Sequence, residues 1–386
     1  MSSTRGGAPV LAVTGWSAVS PIGTGAAGFT EAVRTGRTGG ADVSGMFDAP
    51  LPTGRAHAIP DFRAADHLGR KGTRHLDRST ALALVATKLA LESTDAAVDG
   101  DADGRVGLVL GTTAGSIRTT SEFSRDTLVE ERPYLVNPVM FPGATINCPA
   151  GSSAIRHKLR GVNATVAGGQ MAGLNVLRYG AHLIGGGHAD VLLAGAVEEF
   201  SPHMAWGHRA LTEGYDVPLG EGSAVFVVED AERVRSGGRT PEAEVLASAF
   251  GTGGPGDTAR TLEASVVRAL RLAGVGADEV WGVATGEHGV EGLDGAEDAG
   301  VRAALGDGPV RIRVKRLVGE CNSASGPFQL AALLAHHRSD PGLDGRVSVL
   351  TSVSADGAAG AAVVRGHRPP DGAVPAQTHD QEGGGL

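Results

Sequence analysis

Aromatic residues are scarce in this 386-residue sequence, at 4%, and cysteine occurs only at Cys148 and Cys321. Two cysteines so far apart make neither a disulfide framework nor a zinc-ligand spacing. A core with few rings must be filled by Ala, Val and Leu, and 60 glycines imply many tight turns and close backbone approaches. No stretch reaches about 18 uninterrupted apolar residues, which argues against a helical membrane span. Positive charge is also in deficit. The net charge is −9 with no basic stripe, which argues against nucleic acid or an anionic membrane as partner. The opening MSSTRGGAPVLAV lacks the apolar core of a signal peptide, so a cytoplasmic location is expected. The histidines show no HExxH-type spacing, and no metal site is expected.

What is present is an alternation of strand and helix. In the second half, apolar strand candidates lie at Ala243–Phe250, Val280–Thr285, Val310–Val314, Val347–Ser352 and Ala361–Arg365. Helical stretches fall between them at about 259–274, 294–305 and 324–337, giving the order βαβαβαββ. The first half reads the same way with insertions. Its strands are expected at Val10–Thr14, Val106–Gly111, Ala164–Ala167, Val191–Gly195 and Ala224–Glu229, and its helices at about 24–35, 76–96 and 171–185. Such alternation predicts parallel sheets covered on both faces, and two similar halves suggest an internal duplication. Arg233–Pro241 reads as a linker, dividing the chain into halves at 1–235 and 236–366. The polar, Pro/Gly-rich segment 367–386 reads as a disordered tail.

One stretch raises a chemical question. Residues 163–177, NATVAGGQMAGLNVL, form a short strand, a glycine turn and an amphipathic helix, with Leu174, Leu177, Ala181 and Ile184 on one stripe. That layout exposes a nucleophile at a helix N-terminus in many acyl-transfer enzymes. Gln170 stands at the tip instead, and an amide is no nucleophile. On spacing alone it could equally cap its own helix. Cys321 and Cys148 are read as small buried side chains rather than substitute nucleophiles. Glu198–Glu199 is placed at the end of a buried strand, and Asp294 with Glu297 on the first turn of a helix, where acids suit the dipole.

Several blocks in order resemble the β-ketoacyl synthases of the thiolase fold. They are VLAVTGWSAVSPIGTGAAGFTEAVRTGRTG (10–39), GLVLGTTAG (107–115), the 163–199 block, GEGSAVFVVED (220–230), GEHGVEGLDGAED (286–298) and KRLVGECNSASG (315–326). SVSADGAAGAAVV (352–364) takes the place of the glycine-rich closing loop, and the resemblance covers about residues 8–366. It implies a thiolase-like α/β fold with pseudo-duplicated βαβαβαββ halves in a five-layered αβαβα architecture. Active members use a Cys that carries the acyl chain as a thioester and two His that drive decarboxylation of the extender. Carried over, the Cys position falls on Gln170. The first His falls on Gly286 when Asp294 and Glu297 anchor the block, with His288 two residues on. The second falls on Glu320, since Lys315 and Gly319 match. The segment TEGYDVPLGEG (212–222) is shorter than the family's stretch there and lacks its Arg-Pro-Phe-Asp-like pattern.

This combination resembles the chain-length factors, or ketosynthase-β subunits, of type II polyketide synthases. The resemblance implies a non-condensing subunit that pairs with an active ketosynthase and shapes the acyl tunnel. No cofactor is implied for this chain, because the acyl group arrives on the phosphopantetheine of an acyl carrier protein, the second partner. A helix over 116–128 is expected at the tunnel, with Ile117, Thr120 and Ser124 on one face as gating positions. Ala355 lies near where a gating Phe is usual. Small side chains there imply room for a long or stiff chain. The alternatives are a malonyl decarboxylase akin to loading ketosynthases, and a purely structural stabiliser of the partner.

Overall fold

The computed structural model describes residues 8–98, 103–211 and 218–368. Its centre is a mixed sheet whose ten main strands fall into two sets. The first comprises β1 (Leu11–Ser20), β2 (Val106–Thr112), β3 (Asn163–Ala167), β4 (Val191–Glu198) and β5 (Gly222–Asp230). The second comprises β6 (Ala243–Thr252), β7 (Val280–Ala284), β8 (Val310–Ile312), β9 (Val347–Val353) and β10 (Ala358–Gly366). The spatial orders are β3-β2-β4-β5-β1 and β8-β7-β9-β10-β6, the same sequence of positions in each set. In both, the outer three strands run parallel and the remaining pairings are antiparallel. The sheets are therefore mixed rather than wholly parallel, because the last strand of each set runs antiparallel to both of its neighbours. The two sets meet where Leu11, Ala12 and Val13 pair with Val245, Glu244 and Ala243.

Side-chain alternation along the strands builds the layers. On β4, Leu192, Ala194 and Ala196 face a central core, whereas Leu193 and Val197 face an outer one. The central core holds α1 (Gly25–Thr35), α5 (Ala172–Gly185) and α8 (Ser325–Ser339) between the sheets. One outer layer holds α2 (Arg78–Glu92) and α4 (Cys148–His157), and the opposite one α6 (Thr258–Ala273) and α7 (Glu291–Leu305). The result is αβαβα. Helix α8 is buried nearly all round through Ala335, as a helix sandwiched between sheets must be. Several of the few aromatic residues are concentrated here. Trp16 meets Phe29 edge-on and stacks on Phe226, and Phe29 stacks on Phe328.

The stripe of Leu174, Leu177, Ala181 and Ile184 on α5 is buried as its period requires. The expected linker is partly helical: Ala231–Ser236 forms a short helix that buries Ala231 and Val234. Of the expected tail, His367 and Arg368 bond through their amides to Glu242 and Asp344, and residues 369–386 lie outside the described residues. Residues 212–217 of the shortened TEGYDVPLGEG stretch also lie outside them. Among the described residues, no helix is long and apolar enough to cross a membrane.

Candidate active site of a thiolase-like fold

The elbow forms where β3 ends at Ala167. Gly169 adopts φ +52°, a left-handed conformation that favours glycine, and a 3-10 turn over Gly169–Met171 leads into α5. Gln170 therefore sits one turn before the helix. Its side chain does not cap that helix: Nε2 donates to Asn322 Oδ1 at 3.4 Å, while its backbone carbonyl accepts from Ser352 Oγ at 3.2 Å. Gly173 makes this approach possible. A Cβ there would collide with the Ser323 carbonyl and the Pro327 ring.

Glu320 lies in the same loop as Asn322, in an isolated bridge with Leu219. Its Oε2 accepts from Lys315 Nζ at 2.6 Å, and its Oε1 accepts from the Asn322 amide at 2.7 Å and from Ser325 Oγ at 3.2 Å. Burial alone would raise this carboxyl, but the Lys315 ammonium outweighs it and holds the pKa at about 2. Glu320 is thus an ionised, neutralised partner. Its charge is already answered inside the protein.

The third position is filled from next door. The Gly286 amide donates to both Glu297 oxygens, at 2.9 and 3.0 Å, so the backbone of this block is clamped to α7. A Cβ on Gly286 would lie 2.6 Å from His288 Nε2. The His288 ring is buried, its Nδ1 is 3.7 Å from Glu320 Oε2, and its Nε2 has no hydrogen-bond partner among the described residues. Burial, reinforced by the Lys315 charge, pushes its pKa down to about 3, so the imidazole is neutral near pH 7. Asp294 holds the same loop by accepting from the His288 and Gly289 amides at 2.6 and 2.8 Å. Glu297, expected on the first helical turn, lies on the second because α7 begins at Glu291; it is buried and also accepts from Thr351 Oγ1.

Helix α3 (Ile117–Val129) forms where expected. Ile117 and Thr120 are half-buried and Ser124 is exposed, with the Thr120 hydroxyl tied to the Ser116 and Ala144 carbonyls. Ala355 lies exposed at the β9–β10 turn, whose strand reaches the elbow through Ser352. The fold brings Gln170, Glu320 and Gly286 into one neighbourhood linked by Asn322, Lys315 and His288. Asn322 and Ser352 carry no motif signal of their own, whereas Lys315 was visible as the residue five before Glu320. Cys321 is fully buried, and burial pushes its thiol well above the usual range, so it supplies no thiolate. Among the described residues, no group of three His, Cys, Asp or Glu side chains is placed to hold a metal.

The fold and the elbow define a class, the thiolase-like synthases. The profile of the β-ketoacyl synthase N-terminal domain matches residues 9–212, and the chain belongs to the β-ketoacyl synthase family. A solved structure described as the ishigamide ketosynthase/chain length factor is 36% identical and superposes with a TM-score of 0.83, covering 93% of this chain and 99% of that one. The actinorhodin polyketide β-ketoacyl synthase 2 of Streptomyces coelicolor is 29% identical over 347 residues, 83% of this chain and 84% of the relative. The 3-oxoacyl-(acyl-carrier-protein) synthase 2 of Coxiella burnetii is 26% identical over 348 residues, 83% of each chain. The structure is of the ketosynthase/chain-length-factor kind.

Proposed function

We propose that this chain is the non-condensing, chain-length-factor-type subunit of a type II polyketide synthase, with 1–235 and 236–366 as its two thiolase-like halves. One observation carries the reading. At each of the three positions where the family places its reactive groups, the residue present is engaged elsewhere. Gln170 bonds Asn322, Glu320 pairs with Lys315, and Gly286 makes room for His288. There is no thiol at the elbow to accept an acyl chain. The Glu320 carboxylate, in the place of an imidazole, would repel a malonyl carboxylate, which disfavours priming by decarboxylation.

An active ketosynthase is the partner this surface fits. Strand β3 is a sheet edge with exposed ends, and in the segment between β2 and β3 Leu128, Tyr134 and Phe141 are 85, 68 and 59% exposed. An open strand edge and large exposed apolar side chains each suit a subunit interface. Carbon–carbon bond formation then occurs at the partner's Cys, on acyl groups delivered by phosphopantetheine of a carrier protein. The test is expression of this chain alone and with its cognate ketosynthase, each supplied with malonyl-carrier protein. Condensation is expected only from the pair. Condensation or malonyl decarboxylation by the lone chain refutes the proposal.

A further inference from the structure

The end of strand β4 carries two adjacent buried carboxyls that point to opposite duties. Glu198 Oε1 accepts from the Thr113 amide at 2.6 Å and from the Ser323 hydroxyl, next to Asn322. Glu199 reaches the other way: Oε2 accepts from Ser116 Oγ at 2.9 Å and Oε1 from the Arg118 amide at 3.1 Å. Together they tether the whole connection from β2 to α3, including the left-handed turn at Gly115.

Helix α3 packs on Pro142–Ala144 and on the helix Pro202–Leu211, with Arg118 over the Phe47 ring, and the tether fixes its N-terminal turn. It has no fully buried residue and no acidic residue in its first turn. Its N-cap Ser116 accepts from the Thr119 amide at 3.3 Å, and the Ser116 proton is directed to Glu199 when that carboxyl is ionised. Glu199 thus supplies, from the end of another strand, acceptor oxygens for the N-terminal turn of α3. Beyond this, the described contacts of α3 include Thr120 to the Ala144 carbonyl and Phe123 against Phe141.

We propose that Glu199 is a positioning residue for α3: by capping the helix from the end of β4 it sets where Ile117, Thr120 and Ser124 stand, and so tunes the acyl length the complex releases. The assignment rests on the chain-length reading above. Burial pushes Glu199 up to about 7, and the nearby Asp77 and Glu221 charges add to it. The arginines at this end are already engaged, Arg78 with Glu221 and Arg118 with Glu122. The tandem with Glu198 also joins α3 to the loop that holds Gln170, so the emptied site and the helix share one strand end.

The test uses the complex with the cognate ketosynthase and compares Glu199→Gln, Glu199→Ala and Ser124→Phe. Two readouts are taken: the ratio of longest to next-longest product, and amide hydrogen exchange across 117–121. A general loss of folded protein lowers total turnover without moving the product ratio. Loss of a cap is expected to speed exchange about tenfold in Glu199→Ala and less in Glu199→Gln, which keeps an acceptor oxygen. The product ratio is expected to shift about threefold or more in Glu199→Ala. Unchanged exchange, or faster exchange with an unchanged ratio while Ser124→Phe shifts it, overturns the Glu199 assignment alone. An unchanged ratio in all three variants overturns the chain-length reading as well. Should Glu199→Ala fail to assemble, Glu199→Gln decides by the same criteria.

Discussion

The imidazole of His288 occupies the space into which a side chain at Gly286 would project, with 2.6 Å between His288 Nε2 and a Cβ built there. A side chain at Gly286 and the ring at His288 compete for one space. Gly286→His should therefore destabilise the protein by about 1–3 kcal/mol through overpacking. The double change Gly286→His with His288→Gly should recover most of that loss. Denaturant midpoints of the three proteins check this, and a double variant as unstable as the single one would contradict it.

The Lys315–Glu320 pair is buried on both sides. Lys315→Met strands a carboxylate in the interior and should cost about 3–5 kcal/mol. Lys315→Met combined with Glu320→Leu removes both charges and should be far closer to the parent. Equilibrium unfolding in urea separates a coupled pair from two independent contributions.

Glu199 also gives stability a pH signature. Its pKa of about 7 in the folded protein lies above the ordinary value of 4.5. The folded state therefore binds the proton more tightly than the unfolded one. The resulting stability is fully present below the ordinary value and is lost as pH rises through about 7. Against Glu199→Gln, the parent should lose on the order of 1–3 kcal/mol between those limits. Glu320 runs the opposite way: held at about 2, it stabilises above the ordinary carboxylate value, and that contribution is lost as pH falls through about 2. Parallel unfolding curves at all pH values would count against the Glu199 assignment.

Ser124 is exposed on α3, so a bulky replacement there need not disturb this chain's own core. Ser124→Phe should shorten the products of the complex while leaving the chain's melting temperature within about 2 °C of the parent, as for ordinary surface substitutions. Mass analysis of carrier-bound products reads the length directly.

Much of the fold was legible because its periodicities are strong. The helix expected over 259–274 spans Thr258–Ala273, and the strand expected at Val280–Thr285 spans Val280–Ala284. Strand direction was not legible, since a run such as Ala224–Glu229 is equally apolar whether it runs parallel or antiparallel to its neighbours. Within the site, motif order singled out Gln170, Gly286 and Glu320, whereas the contacts of Glu199 could not be read. Its partners Ser116 and Arg118 are 83 and 81 residues away in sequence, and only the folded sheet brings them to one strand end. His288 was visible as a neighbour of Gly286, but the filling of one residue's space by another's ring is a fact of packing, not of spacing.

The position of β1 has a consequence for synthesis. Apart from a short pairing with Gly23–Thr24, this strand pairs, among the described residues, only with residues 222–230 and 243–245. Once made, it must wait for these neighbours through roughly 200 further residues, about 10–40 s at ordinary elongation rates. During that interval LAVTGWSAVS, almost wholly buried once folded, has neither of its sheet neighbours. Slowing translation ahead of residue 222 therefore lengthens the time that this apolar strand spends unpaired.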